Sequence, residues 1–134
     1  MPDRTLPGIG LVRLRTVREG RAPRLIGNCA IEADLGTGPR TIAGFENHGG
    51  RTYLGPHERA LGRVLAGHGN NGRDGTEGVR RDNVIGTYLH GPLLPKNVWL
   101  ADRLIEIALG AELEPLDDRL EDAAHASARR AAGV

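Results

Sequence analysis

Three residue types in this chain invite a chemical reading: an imidazole at a strand end, a lone thiol, and histidines gathered near a glutamate. His90 closes the stretch NVIGTYL (83–89) and precedes Gly91-Pro92. Its side chain is therefore expected where a strand gives way to a loop, and in open α/β sheets ligands gather at the carboxyl ends of strands. An imidazole there can act as a general base toward a thiol or an amine. The same position also suits a half-buried histidine that merely bonds to its loop. Cys29 is the chain's one cysteine. A nucleophilic thiol needs a helix N-terminus or a neighbouring imidazole to lower its pKa. In α/β folds it would also sit on a sharp, glycine-flanked strand-to-helix turn. Cys29 lies inside Ile26-Gly27-Asn28-Cys29-Ala30-Ile31, which reads as mid-strand, so it is expected to be a buried, inert small hydrophobe.

Two other patterns are weaker. Gly67-His68-Gly69-Asn70-Asn71-Gly72 satisfies G-x-G-x-x-G, but Arg-Asp-Gly-Thr-Glu-Gly follows it. Pyrophosphate binding needs an amphipathic helix to open directly after the glycines, and this continuation opens none. Glu46, His48, His57 and His68 suggest a metal site. No pair among them has the i, i+4 spacing of a helix site or the H-x-H spacing of a strand site. Loop and surface histidines are the expectation. The run Phe45-Glu46-Asn47-His48-Gly49-Gly50-Arg51-Thr52 is dense in polar groups for a strand end, and reads either as an elaborate turn or as the wall of a polar pocket.

The elements that must carry these residues are short. Alternation and composition predict strands over 10–16, 25–33, 41–46 and 83–89, with 61–66 a strand or a short helix. Turns are expected at 19–23 and 34–40, an excursion at 53–61, and an irregular loop at 67–78. One helix is clear: Val98, Ala101, Leu104, Ile105 and Ala108 share a face. Asn97 is placed to cap it and Gly110 to end it. The tail from Leu116 is charged and Ala-rich and reads as a marginal helix that frays. About five strands with one helix is an imbalance for a closed α/β domain, whose sheet needs helices on both faces. It suggests that part of the domain lies upstream.

Composition narrows the class. The 134 residues suffice for one domain and not two. The formal charge is +1 with basic and acidic residues interspersed, so the basic stripe and aromatic platforms of a nucleic-acid binder are missing. No apolar run approaches the ~20 residues of a membrane span, and the first residues do not read as a signal peptide. One cysteine excludes an internal disulfide and fits a reducing cytoplasm.

Together, GFENHGGRT (44–52), GNNG (69–72) and NVIGTYLHGPLLPKN (83–97) resemble the CobB/CobQ-like class I glutamine amidotransferases, and within them the GatD-type subunits of lipid II isoglutaminyl synthases. The resemblance runs from about residue 8 to 109. It implies an α/β fold in which residues 1–112 form the C-terminal portion of a flavodoxin-like class I amidotransferase domain, strand-rich as it stands, with 113–134 an appended tail. It implies that His90 matches the family's catalytic histidine, which takes the proton of a cysteine nucleophile and passes it to the leaving ammonia. Backbone N–H groups would hold the oxyanion. Arg24 matches the arginine with which GatD-type subunits bind L-glutamine, and a guanidinium suits the substrate carboxylate. A surface arginine at a strand start is the plain alternative.

The resemblance further implies a partner, a MurT-type Mur-ligase-like subunit. There ATP, with Mg, activates the D-glutamate of lipid II for amidation to D-isoglutamine, so no cofactor is expected in this chain. The cobalamin-pathway amidotransferases, such as cobyric acid synthase, share looser versions of the motifs and are the neighbouring reading. A non-catalytic interaction module is the reading from another class. Two departures stand out. Many class I enzymes carry a glutamate two residues after the histidine, where this chain has Pro92. The family's G-x-C-x-G nucleophile turn is absent from the sequence. A fragment, a half-domain completed by another polypeptide and a pseudoenzyme would each account for that absence. A fragment, inactive alone, is the expectation.

Overall fold

A computed structural model describes residues 5–134. The chain is mixed α/β and strand-rich, as expected. Eight strands come first: β1 (Leu14–Arg18), β2 (Leu25–Asp34), β3 (Pro39–His48), β4 (Gly50–Leu54), β5 (Gly62–Ala66), β6 (Thr76–Glu77), β7 (Val79–Arg81) and β8 (Val84–Gly86). Two helices follow, α1 (Val98–Leu109) and α2 (Arg119–Ala132). Among the described residues every strand pairing is antiparallel, in a central sheet ordered β3-β2-β5-β6 and two-stranded pairs β1-β4 and β7-β8. No helix among them is long and apolar enough to cross a membrane.

The ten-residue hairpin β2-β3 is the frame. Its register pairs Ile31 with Ile42 and Cys29 with Gly44, and alternation puts those four residues on one face. The apolar cluster forms there from Cys29, Ile31, Ala33, Leu35, Ile42, Leu61, Leu89, Trp99 and Leu100. With one Phe, one Trp and two Tyr in the chain, aliphatic packing must supply most of the burial. Towards the far end of the hairpin the same face turns polar, because Gly44 is followed two and four residues on by buried Glu46 and His48.

Several boundaries differ from the sequence reading, each for a local reason. The first strand is 14–18 rather than 10–16, because Leu14–Arg18 has a partner in β4; Arg13 adds one bond beyond that ladder, its carbonyl accepting from Gly55 N–H at 2.8 Å. β4 takes the last three residues of the polar run read as a turn or pocket wall and the first two of the expected excursion; its alternating Arg51 and Tyr53 carry no apolar signature. The stretch 83–89 is a strand only over β8. Beyond Gly86 the chain leaves its β7 partner and regains pairing at one point, where His90 bridges Phe45. Residues 62–66 are a strand, held by β2.

Helix α1 begins and ends where expected, and Gly110 closes it in the left-handed region at φ 68°. Asn97 precedes it but makes no side-chain cap, because its amide is committed elsewhere. Helix α2 runs for 14 residues with none buried. It packs over β2 and β3, where the Asn28 amide donates to the carbonyl of Ala131 at 2.9 Å.

Candidate active site

The free edge of β3 carries the site. Alternate residues of an edge strand present both N–H and C=O outward, and on β3 these are Thr41, Ala43 and Phe45. Each is met by a different device. The Trp99 indole donates to the carbonyl of Thr41 at 2.9 Å. The Asn97 amide imitates a strand residue: its Oδ1 accepts from Ala43 N–H at 2.8 Å, and its Nδ2 donates to Ala43 O at 2.8 Å. That Nδ2 also donates to Leu93 O at 2.7 Å, so the wholly buried amide is satisfied. Phe45 exchanges both backbone bonds with His90, at 3.0 and 2.9 Å. The loop from His90 to Asn97 is thus sewn to β3 at two points. Lys96 adds a bond from its ammonium to Gly91 O at 2.9 Å.

His90 itself is exposed. Its ring meets the Phe45 ring edge to face, with centroids 5.8 Å apart and planes at 73°, and among the described residues no hydrogen bond to the imidazole is formed. Arg24 is exposed as well. Its Nε donates to Asn47 Oδ1 at 2.8 Å and its guanidinium also bonds Asn47 O at 2.7 Å. Phe45 and Asn47 are two apart on β3 and so lie on one face, about 7 Å apart at ~3.4 Å per residue. The structure thereby brings His90 and Arg24, distant in sequence, to neighbouring positions along one face of the same strand. They do not touch each other.

The segment before Arg24 is also held. Arg51 is buried, and its guanidinium donates to Pro23 O at 2.6 Å and to Gly49 O and Gly50 O at 3.3 Å. Asn47 and Arg51 are therefore the motif residues that place Arg24. Nothing in the sequence assigned them that task, since it depends on β2 lying against β3.

Behind the site, on the buried face, sits a polar network. Glu46 accepts from the His68 and Gly69 backbone at 2.7 and 2.9 Å and from His68 Nδ1 at 2.7 Å. His48 Nδ1 donates to Gly50 O at 2.9 Å, while its Nε2 is buried without a hydrogen bond, 3.8 Å from Glu46 Oε2. His48 stacks on Tyr88 at 3.7 Å, and the Tyr88 hydroxyl bonds Thr52. Glu77, fully buried, accepts from Thr87 Oγ1 at 2.9 and 3.0 Å and from Tyr88 N–H at 2.7 Å. Burial pushes its pKa up to about 7, against the pull of the Tyr88 and Thr87 bonds, and the Glu46 charge adds to the rise. This network props the stretch 87–89 that delivers His90.

The remaining candidates find their places. His48 is buried rather than a loop or surface histidine, whereas His57 is exposed and lies away from Glu46. No three His, Cys, Asp or Glu side chains among the described residues are grouped to hold a metal ion. The GNNG stretch is a structural loop. Asn70 spans it by bonding Gly78 N–H and O at 2.9 and 3.0 Å, and strand β6 follows rather than a helix. Cys29 is fully buried, and its thiol pKa is pushed up to about 12, first by burial and then by the charges of Glu46 and Glu77. It is a packing residue. A Cβ on Gly67 (φ +100°) would stand 2.9 Å from its Sγ, so the backbone there closes directly over the thiol.

Residues 2–98 match the CobB/CobQ-like glutamine amidotransferase domain family. The chain is 47% identical over 119 residues to the lipid II isoglutaminyl synthase (glutamine-hydrolyzing) subunit GatD of Staphylococcus aureus, covering 85% of this chain and 46% of that protein. It is 40% identical over 104 residues to the subunit of the same name from Streptococcus pneumoniae, covering 78% and 39%. A probable cobyric acid synthase of Methanothermobacter thermautotrophicus is 34% identical over 94 residues, covering 65% and 18%. The chain thus spans less than half the length of the relatives it matches.

Proposed function

From its membership of the CobB/CobQ-like glutamine amidotransferase domain family, we propose that this chain supplies the general base and the substrate clamp of a glutaminase that feeds a lipid II isoglutaminyl synthase. The observation that carries the reading is the pairing of His90 and Arg24 along one face of β3, each held by a residue of GFENHGGRT. His90 takes the proton of a cysteine thiol, and the thiolate attacks the side-chain amide of glutamine. The tetrahedral adduct collapses with cleavage of the C–N bond, and the imidazolium returns the proton to the leaving ammonia. Water then hydrolyses the thioester. Arg24 holds the glutamine carboxylate through two N–H groups.

The thiol has to come from outside these 134 residues, because Cys29 is sealed in the core and protonated. Ammonia then passes to a MurT-type, Mur-ligase-like partner that uses ATP with Mg to activate lipid II D-glutamate, a cytoplasmic step. The lipid II acceptor is favoured over a corrin by the identities, 47% to the GatD subunit against 34% to the probable cobyric acid synthase.

The test is ammonia release from L-glutamine. This chain alone should release none. Completed with a segment bearing a G-x-C-x-G turn it should become active, and His90→Ala in that assembly should lower kcat by a factor of ~100 or more. A completed enzyme that keeps its rate with His90→Ala would overturn the assignment.

A further inference from the structure

We infer that Phe45 is the positioning residue for the His90 imidazole, setting the ring plane that a proton-transferring histidine ordinarily receives from a hydrogen-bonded partner. The inference rests on the reading of His90 as the general base. A base must be held within hydrogen-bond reach and at the correct angle to the proton it takes. On the ordinary pattern, a carboxylate or carbonyl accepts from one ring nitrogen and so fixes both tautomer and orientation. Among the described residues His90 has no such bond.

Phe45 contacts His90 in two ways. Its backbone N–H and C=O both pair with His90, at 3.0 and 2.9 Å, which fixes the origin and direction of the His90 Cα–Cβ vector. Its ring then stands against the imidazole with centroids 5.8 Å apart and an interplanar angle of 73°. That is the edge-to-face arrangement aromatic pairs prefer, within the ~4.5–7 Å range of favourable separations. With the backbone pinned, two side-chain torsions remain, and the Phe45 ring stands against the imidazole that they turn. Both ring nitrogens stay free for substrate and thiol. The phenyl ring itself is carried within a ten-residue strand rather than on a loop, so it is a rigid reference.

The test separates this role from packing and from the assignment of His90. In the full 134-residue chain, the His90 χ1 rotamer is read from its three-bond Hα–Hβ couplings in the wild type, Phe45→Leu and Phe45→Tyr, because these couplings do not respond to the ring current of the neighbouring aromatic. Amide exchange at residues 45 and 90 reports whether the backbone pairing is kept. Phe45→Leu should average the His90 χ1 couplings over several rotamers with the amides still protected, and Phe45→Tyr should keep the single-rotamer values of the wild type. Should Leu loosen the pairing, Phe45→Met, unbranched and closer in length, takes its place in the comparison.

In the completed glutaminase, loss of the ring should lower kcat roughly tenfold with KM for glutamine within about twofold, and Tyr should restore the rate. Unchanged His90 χ1 couplings, or an unchanged kcat in the variant without a ring, would overturn the role of Phe45. An active His90→Ala enzyme would instead sink the assignment of His90, leaving the geometric coupling measured by the χ1 couplings intact.

Discussion

At the scale of single residues, Arg24 and His90 differ in how they are restrained. His90 is held through its backbone, whereas Arg24 is held through its guanidinium, which spends its Nε and one Nη on Asn47. The remaining Nη group is the one left to grip a carboxylate. Arg24→Ala should therefore raise KM for glutamine about tenfold or more in a completed glutaminase, with kcat changed less than threefold. This corresponds to the ~1.5–3 kcal/mol of a hydrogen bond to a charged group lost from ground state and transition state alike. Arg24→Lys should recover little, since an ammonium cannot bond Asn47 and the substrate with one planar fork. Steady-state kinetics on the three proteins decides the matter. An unchanged KM in both variants would remove Arg24 from the binding site.

At the scale of elements, the edge of β3 explains how a loop can hold His90 with precision. Thr41, Ala43 and Phe45 would otherwise be an open edge, and Trp99, Asn97 and His90 close it in turn. Asn97 is the least replaceable. Asn97→Leu leaves Ala43 N–H, Ala43 O and Leu93 O without partners in a buried place. A loss of about 2–4 kcal/mol follows from ~1–3 kcal/mol for each group stranded, part of it relieved by relaxation. Urea unfolding followed by circular dichroism measures it. Hydrogen exchange should localise the loosening to 90–97 and β3, with β7 and β8 unaffected. Had the sequence reading of Asn97 as a simple helix cap been right, the cost would be about 1 kcal/mol and confined to the first turn of α1.

For the whole molecule, the buried carboxyl of Glu77 links stability to pH. The Glu77 pKa in the folded chain is about 7, against an ordinary value of 4.5. Between those values the folded state keeps a proton that the unfolded state has released. The contribution of Glu77 is therefore fully present below about pH 4.5, declines as pH rises toward 7, and is gone above it. The urea midpoint should fall across that window. Glu77→Gln, which keeps an acceptor for Tyr88 N–H and Thr87, should flatten the fall. A midpoint profile identical in the variant would mean that the Glu77 pKa is not raised on folding. The same group connects stability to the site, since Thr87 and Tyr88 lie within three residues of His90 on the chain.

The chain alone determined its elements wherever a pattern is local. The helix face of Val98 to Ala108, the stop at Gly110, the core strand around Cys29 and the misfit of the glycine loop to a nucleotide site follow from spacing, backbone preference and side-chain volume. His90 and Arg24 could be singled out from residue type and motif. Their adjacency could not, because it exists only through a hairpin register that pairs Ile26 with Asn47 and an edge bridge that pairs Phe45 with His90. The tasks of Asn47, Arg51, Asn97 and Glu77 were hidden for the same reason. Each satisfies backbone groups of a segment remote in sequence, and the need for that hydrogen bond arises only when two elements pack and exclude water.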